Sequence, residues 1–200
     1  MIDRIKHELK NSGAVVLPTE TVYGLFAKAI DEKAVDHVYQ LKGRPRDKAL
    51  NLNVATLEDI FRFSKHQPVY LKKLVETFLP GPLTIILEAN EKVPCWVNSD
   101  LNTVGFRMPS HPITLELIRE CGPLIGPSAN ISGCKSGVNF KQILEDFDRE
   151  VLGIEDDGFL TGQDSTILDL TGKKVKILRQ GSITQEDILT KIPEIPFEEV

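Results

Sequence analysis

Lys42, Arg44, Arg46 and Lys48 put four cations into the seven residues Lys42-Gly43-Arg44-Pro45-Arg46-Asp47-Lys48, in a chain whose formal net charge is -5. Like charges this close raise one another's electrostatic free energy, and an anion held against them lowers it. Phosphate is the anion that suits such a cluster. Gly43 and Pro45 flank Arg44 and break a helix there, so the cluster falls on a turn where backbone N–H groups can also face a ligand. A solvated basic loop has the same composition, and the cluster alone leaves both readings open.

Four other places offer polar groups that could meet a ligand. Thr19-Glu20-Thr21-Val22-Tyr23-Gly24 follows Ala14-Val15-Val16-Leu17-Pro18. It sets two hydroxyls, a carboxylate and a phenol at a strand's C-terminal end, where open α/β sheets bind ligands; Thr19 or Thr21 could equally cap a helix. Thr103-Val104-Gly105-Phe106-Arg107 ends a strand on an arginine, which can fork onto a carboxylate or phosphate or pair with a structural acid. Gly126-Pro127-Ser128-Ala129-Asn130-Ile131-Ser132-Gly133 presents a hydroxyl and an amide among small residues that let something approach the backbone, although loop punctuation has the same look. Arg179-Gln180-Gly181 leaves a further cation at a strand end. Glu155-Asp156-Asp157-Gly158 lacks the supporting ligands of a metal site and reads as a solvated loop.

Composition closes off several classes. His7, His37, His66 and His111 form no metal-binding pattern, and none of the three cysteines, Cys95, Cys121 and Cys134, is paired at metal-ligand spacing. They read as reduced packing residues, and no protein-held metal is expected. The net negative charge opposes broad nucleic-acid binding, though a local basic stripe remains open. No apolar run is long enough to span a bilayer and the N-terminus lacks a signal-peptide core, so a cytoplasmic protein without membrane contact is expected.

The elements that must position these groups follow from periodicity. Helical stripes cover residues 2–11, 31–41, 56–63, 112–121, about 140–147 and 185–191, with another helix opening after Pro68. Strands cover 14–17, 50–54, 83–87, 103–107, 124–125, 165–170 and 175–179, the last two joined as a hairpin at Thr171-Gly172-Lys173-Lys174. With 200 residues and 41% hydrophobic content, this predicts one α/β domain over 1–200, a mixed, twisted sheet flanked by helices.

Taken in order, Pro18 to Leu25, Leu41 to Pro45, Pro80 to Thr84, Val104 to Pro109, Pro127 to Asn130 with Ser132-Gly133, Ser165 to Asp169 and Arg179 to Gly181 resemble the YrdC-like threonylcarbamoyl-AMP synthase family. The resemblance runs from about residue 3 to 190. It implies a concave, positively charged cavity and an enzyme, a nucleotidyltransferase, that joins L-threonine, bicarbonate and ATP into threonylcarbamoyl-AMP and pyrophosphate. Magnesium would come with ATP, and a downstream enzyme would pass the product to adenosine beside the anticodon of tRNA. Because the chain stops at Val200, it looks like the family's short form.

Position by position, the resemblance makes Lys42, Arg44, Ser128 and Asn130 the catalytic signature. It gives Lys42, Arg46, Thr103, Asn130 and Arg179 to ATP, and Thr19, Arg107, Ser128 and Ser165 to threonine. Three positions depart from the family pattern: Ala49 stands for a frequent Pro, Asn53 for a frequent His that touches the amino acid, and Val138 for a frequent hydroxyl. The chemistry agrees with the residue types, because an adenylation between groups already reactive needs chiefly positioning and charge neutralisation. Two alternatives stay open: a module gripping double-stranded RNA or tRNA in the same cavity, and the carbamoyl-adenylate chemistry of hydrogenase-maturing carbamoyltransferases.

Overall fold

A computed structural model describes residues 1–199. In chain order its elements are α1 (Ile2–Lys10), β1 (Val15–Leu17), β2 (Gly24–Lys28), α2 (Glu32–Lys42), β3 (Leu52–Asn53), α3 (Leu57–Phe63), β4 (Ser64–Lys65), α4 (Leu71–Phe78), β5 (Leu83–Ala89), α5 (Cys95–Asn98), β6 (Thr103–Arg107), α6 (Pro112–Cys121), β7 (Leu124–Ile125), α7 (Phe140–Asp146), β8 (Leu152–Gly153), β9 (Thr166–Asp169), β10 (Lys176–Arg179) and α8 (Gln185–Lys191). The strands form one mixed sheet in the order β10-β9-β5-β6-β3-β7-β2-β1-β8, with β4 on the side of β5. The expected α/β architecture is therefore present. No helix among the described residues is long and apolar enough to cross a membrane.

Local chemistry explains the element that carries the basic cluster. Asp31 caps α2 by accepting from Lys33 N and Ala34 N at 3.1 and 3.3 Å, satisfying donors that a helix start leaves free. Ala34, Val35, Val38 and Tyr39 bury one face. Gly43, at φ 57°, then takes the left-handed conformation that ends a helix at least cost and turns the chain toward Arg44.

Several expectations change. β2 went unread because it is central: it lies between β1 and β7, its first four residues are buried, and so it lacks the alternation of a one-sided strand. No helix follows Thr19 or Thr21, which excludes the cap reading. Thr19 Oγ1 instead closes a local turn, donating to Val22 O at 2.6 Å and accepting from Thr21 N at 3.1 Å. The acidic loop is solvated as expected, with Glu155, Asp156 and Gly158 exposed, and it is also tethered. Tyr23 OH donates to Asp157 Oδ1 at 2.7 Å, and Asp156 Oδ2 lies 3.1 Å from His111 Nε2. Cys95 and Cys134 are exposed and so are not packing residues.

Candidate functional site

One transverse row of the sheet assembles the site. Asn53 of β3 pairs in register with Arg107 of β6, Arg107 with Thr84 of β5, Thr84 with Ile167 of β9, and Ile167 with Arg179 of β10. Aligned residues on neighbouring strands share a face of the sheet. All five line one cavity of about 340 Å³. At roughly 4.8 Å per strand the row runs about 19 Å, enough for two small ligands end to end. Arg179 joins the row through a β-bulge: Ile177 faces Leu168 while Arg179, two residues on, faces Ile167. The extra residue re-aims the arginine onto the cavity face.

The opposite wall comes from the turn before β2 and the segment after β7. Leu25 N donates to Pro127 O at 2.7 Å and Ala129 N to Tyr23 O at 2.7 Å, fixing Ser128 beside Gly24. Thr19, Thr21 and Ser128 line the cavity from this side. Glycine is required where the walls close on one ring. A Cβ on Gly24 or Gly126 would stand 2.5 or 2.4 Å from the ring of Phe26.

Three arginines of the lining are held in one pattern. Arg44 gives Nε to Lys48 O and Nη2 to Ala49 O, at 3.2 and 2.8 Å. Arg179 gives Nε to Ser165 O and Nη2 to Ser165 Oγ, at 2.9 and 3.1 Å. Arg107 gives Nε to Gly81 O at 3.1 Å and Nη2 to both Glu20 Oε1 and Thr21 Oγ1. Each guanidinium thus has two nitrogens fixed, while Nη1 has no protein partner among the described residues. The pairing of Arg107 with a structural acid is present, and it leaves Nη1 without a partner among the described residues. Pre-oriented N–H groups around a concave surface are what planar oxyanions bind best.

The residues expected at the site separate into two groups. Thr19, Arg44, Arg107, Ser128, Ser165 and Arg179 line the cavity, together with the family-departing Asn53 and Ala49. Lys42, Arg46, Thr103 and Asn130 do not. Lys42 is buried at 1% exposure, not displayed on a polar turn. Its Nζ donates to Ser128 O, Asn130 O and Asn130 Oδ1 at 2.5, 2.6 and 3.4 Å, and Asn130 Nδ2 donates to Ile131 O and Cys134 O at 3.0 and 2.8 Å. The Lys–Asn pair thus ties the end of α2 to the loop carrying Ser128. Burial pushes the Lys42 ammonium from 10.5 down to about 8, and the charge of Arg44 adds to the shift. Arg46 pairs with Asp36 and lies over the Tyr39 ring, 4.6 Å from its centroid. Thr103 shares the face of Arg107 but lies four residues away on β6, roughly 13 Å along the strand.

Other lining residues escaped the sequence reading of the site. Thr84 Oγ1 is 2.8 Å from Ser165 Oγ; a threonine inside Leu83-Thr84-Ile85-Ile86 was the available signal. Asn51 packs where Gly105 has no side chain, since a Cβ there would stand 2.1 Å from Asn51 Oδ1. Asp164 lines the wall beside Ser165, and nothing in its local sequence distinguished it from a loop acid.

With this geometry in place, likeness to known proteins is informative. The Sua5/YciO/YrdC family model, described as "Telomere recombination", matches residues 7–181. The threonylcarbamoyl-AMP synthase of Pyrococcus abyssi is 40% identical over 189 residues, covering 94% of this chain and 56% of the relative. The enzyme of the same name from Bacillus subtilis is 39% identical over 183 residues, covering 90% and 53%. The chain thus spans about half the length of these two relatives. A crystal structure of P. abyssi Sua5 in complex with L-threonine superposes with a TM-score of 0.90 at 39% identity, over 98% of this chain and 58% of that one.

Proposed function

The chain belongs to the Sua5/YciO/YrdC family, and from that membership we propose that it is an L-threonylcarbamoyladenylate synthase, a nucleotidyltransferase whose product serves threonylcarbamoylation of adenosine beside the anticodon in tRNA. Residues 1–200 act as one catalytic domain in the cytoplasm. The observation that carries the reading is the set of three arginines around one cavity whose Nη1 groups lack protein partners among the described residues, next to the hydroxyls of Ser128, Ser165 and Thr19.

In the proposed reaction the amine of threonine combines with bicarbonate, losing water, to give a carbamate. A carbamate oxygen then attacks the α-phosphorus of MgATP and pyrophosphate leaves. Arg107 holds the amino acid's carboxylate through Nη1. Arg44 and Arg179 neutralise charge on the phosphates, which is where transfer of this kind gains most of its rate. Lys42 and Asn130 set the position of Ser128 from behind. Arg46 reaches the phosphates by leaving Asp36, an exposed pair of the sort worth about 0–1 kcal/mol, so the exchange is inexpensive. Thr103 contacts the nucleotide where it extends along β6. The magnesium belongs to MgATP and is held mainly by phosphate oxygens.

The test is pyrophosphate release with threonine, bicarbonate and ATP each omitted in turn. Release that requires all three supports the reading. Release without threonine, or salt-sensitive RNA binding with no threonine-dependent turnover, overturns it.

A further inference from the structure

A free amino acid is a zwitterion, and a cavity that selects it must answer two charges. The arginines answer the carboxylate. Among the described residues that line the cavity, Asp164 is the one acidic side chain. The other carboxylate nearby, Glu20, is already engaged: Oε1 accepts from Arg107, and Oε2 accepts from Ser110 N at 2.8 Å. Asp164 is different, for its carboxylate takes part in no hydrogen bond or ion pair of the described structure. The arginine beside it, Arg179, has Nε and Nη2 fixed on Ser165.

Position supports the same pairing. Asp164 directly precedes Ser165, whose Oγ meets Thr84 Oγ1, and Thr84 is the in-register neighbour of Arg107. The segment holding Asp164 is itself anchored. Thr161 N donates to Glu20 O at 3.0 Å, Gly162 N to Thr21 O at 2.8 Å, and Thr166 N to Pro82 O at 3.0 Å. The backbone that carries Asp164 is therefore fixed on the wall of the cavity that Arg107 also lines. A carboxylate with no partner among cations attracts a small cation that brings its own N–H donors.

We propose that Asp164 binds the α-ammonium of the amino-acid substrate and makes the cavity selective for a free α-amino group. The inference rests on the proposed function for the identity of the amino acid. Arg107 and Asp164 then clamp the two ends of the zwitterion, which orients the nitrogen that, once it has released a proton to solvent, will carry the carbamate. Losing the charge at Asp164 removes a charge-assisted hydrogen bond from threonine and nothing from a ligand without an ammonium.

The test is equilibrium binding of L-threonine, and of the acid with hydroxyl in place of its amine, to wild type, Asp164→Asn and Asp164→Glu, without nucleotide or magnesium. Threonine binding should fall about tenfold or more in Asp164→Asn and recover in part in Asp164→Glu, while the hydroxy acid, an anion without an ammonium, binds Asp164→Asn at least as well as wild type. Threonine binding within twofold of wild type in Asp164→Asn overturns the inference and leaves the proposed function standing. So does an effect confined to magnesium-dependent ATP binding, which would make Asp164 a metal contact. No threonine binding by wild type overturns both. A melting temperature near that of wild type is expected for Asp164→Asn, since the side chain has no partner to lose among the described residues.

Discussion

Replacing Lys42 with methionine separates the electrostatics of a buried ammonium from its packing. Methionine fills the space of the stem without the charge. Folding lowers the Lys42 pKa from 10.5 to about 8. Between those values the native state has lost the proton and the unfolded chain still binds it. Unfolding then takes up a proton, so stability rises with pH. One proton contributes about 1.4 kcal/mol per pH unit across that window, or about 2.5 kcal/mol between pH 7 and pH 10. The three carbonyl oxygens around Nζ favour the ammonium and oppose the rise, so this is the upper end of the expected range. The assay is urea unfolding of wild type and Lys42→Met from pH 7 to 10, followed by subtraction, which cancels every other titrating group. Wild type should gain on the variant as pH rises. Curves parallel within about 0.5 kcal/mol would refute the reasoning and mean that the carbonyls hold Lys42 fully charged past pH 10. Lys42→Ala should be destabilised by about 2 kcal/mol or more, because it leaves both a void and unmet carbonyls in a buried place.

Ser165→Ala should raise the requirement for both threonine and ATP, because Ser165 Oγ faces the cavity and also fixes Arg179 Nη2; steady-state kinetics with each substrate varied would show it, and an effect on threonine alone would mean that Arg179 keeps its place unaided. In Arg107→Lys a single ammonium must serve Gly81 O, Glu20 and Thr21, leaving no donor for the ligand. Threonine affinity should therefore drop at least about tenfold in a binding titration. Gly105→Ala forces Asn51 away, at a cost of about 1 kcal/mol in melting experiments. In an Asn51→Ala background the same change should be nearly neutral, and an equal loss in both backgrounds would show that the strain lies elsewhere.

The sequence alone determined every helix but the short α5 and most of the strands, because each owes its form to local periodicity, caps and turn residues. The stripe on α2, the Thr56 cap of α3 that accepts from Asp59 N at 3.1 Å, and the Pro112 start of α6 are of this kind. It also supplied the chemical inventory of arginines, hydroxyls and side-chain amides. Tertiary structure decided which of these groups meet. Asn53, Thr84, Arg107, Ile167 and Arg179 are far apart in the chain and become one row only through register, which depends on packing over the whole sheet. A bulge in β10 then turns Arg179 onto that row. The basic cluster shows the division most clearly. Four cations in seven residues read alike in sequence, yet Arg44 lines the cavity, Lys42 is buried behind it, and Arg46 pairs outside with Asp36. Burial and hydrogen-bond partners come from segments distant in the chain, so no local pattern could assign them.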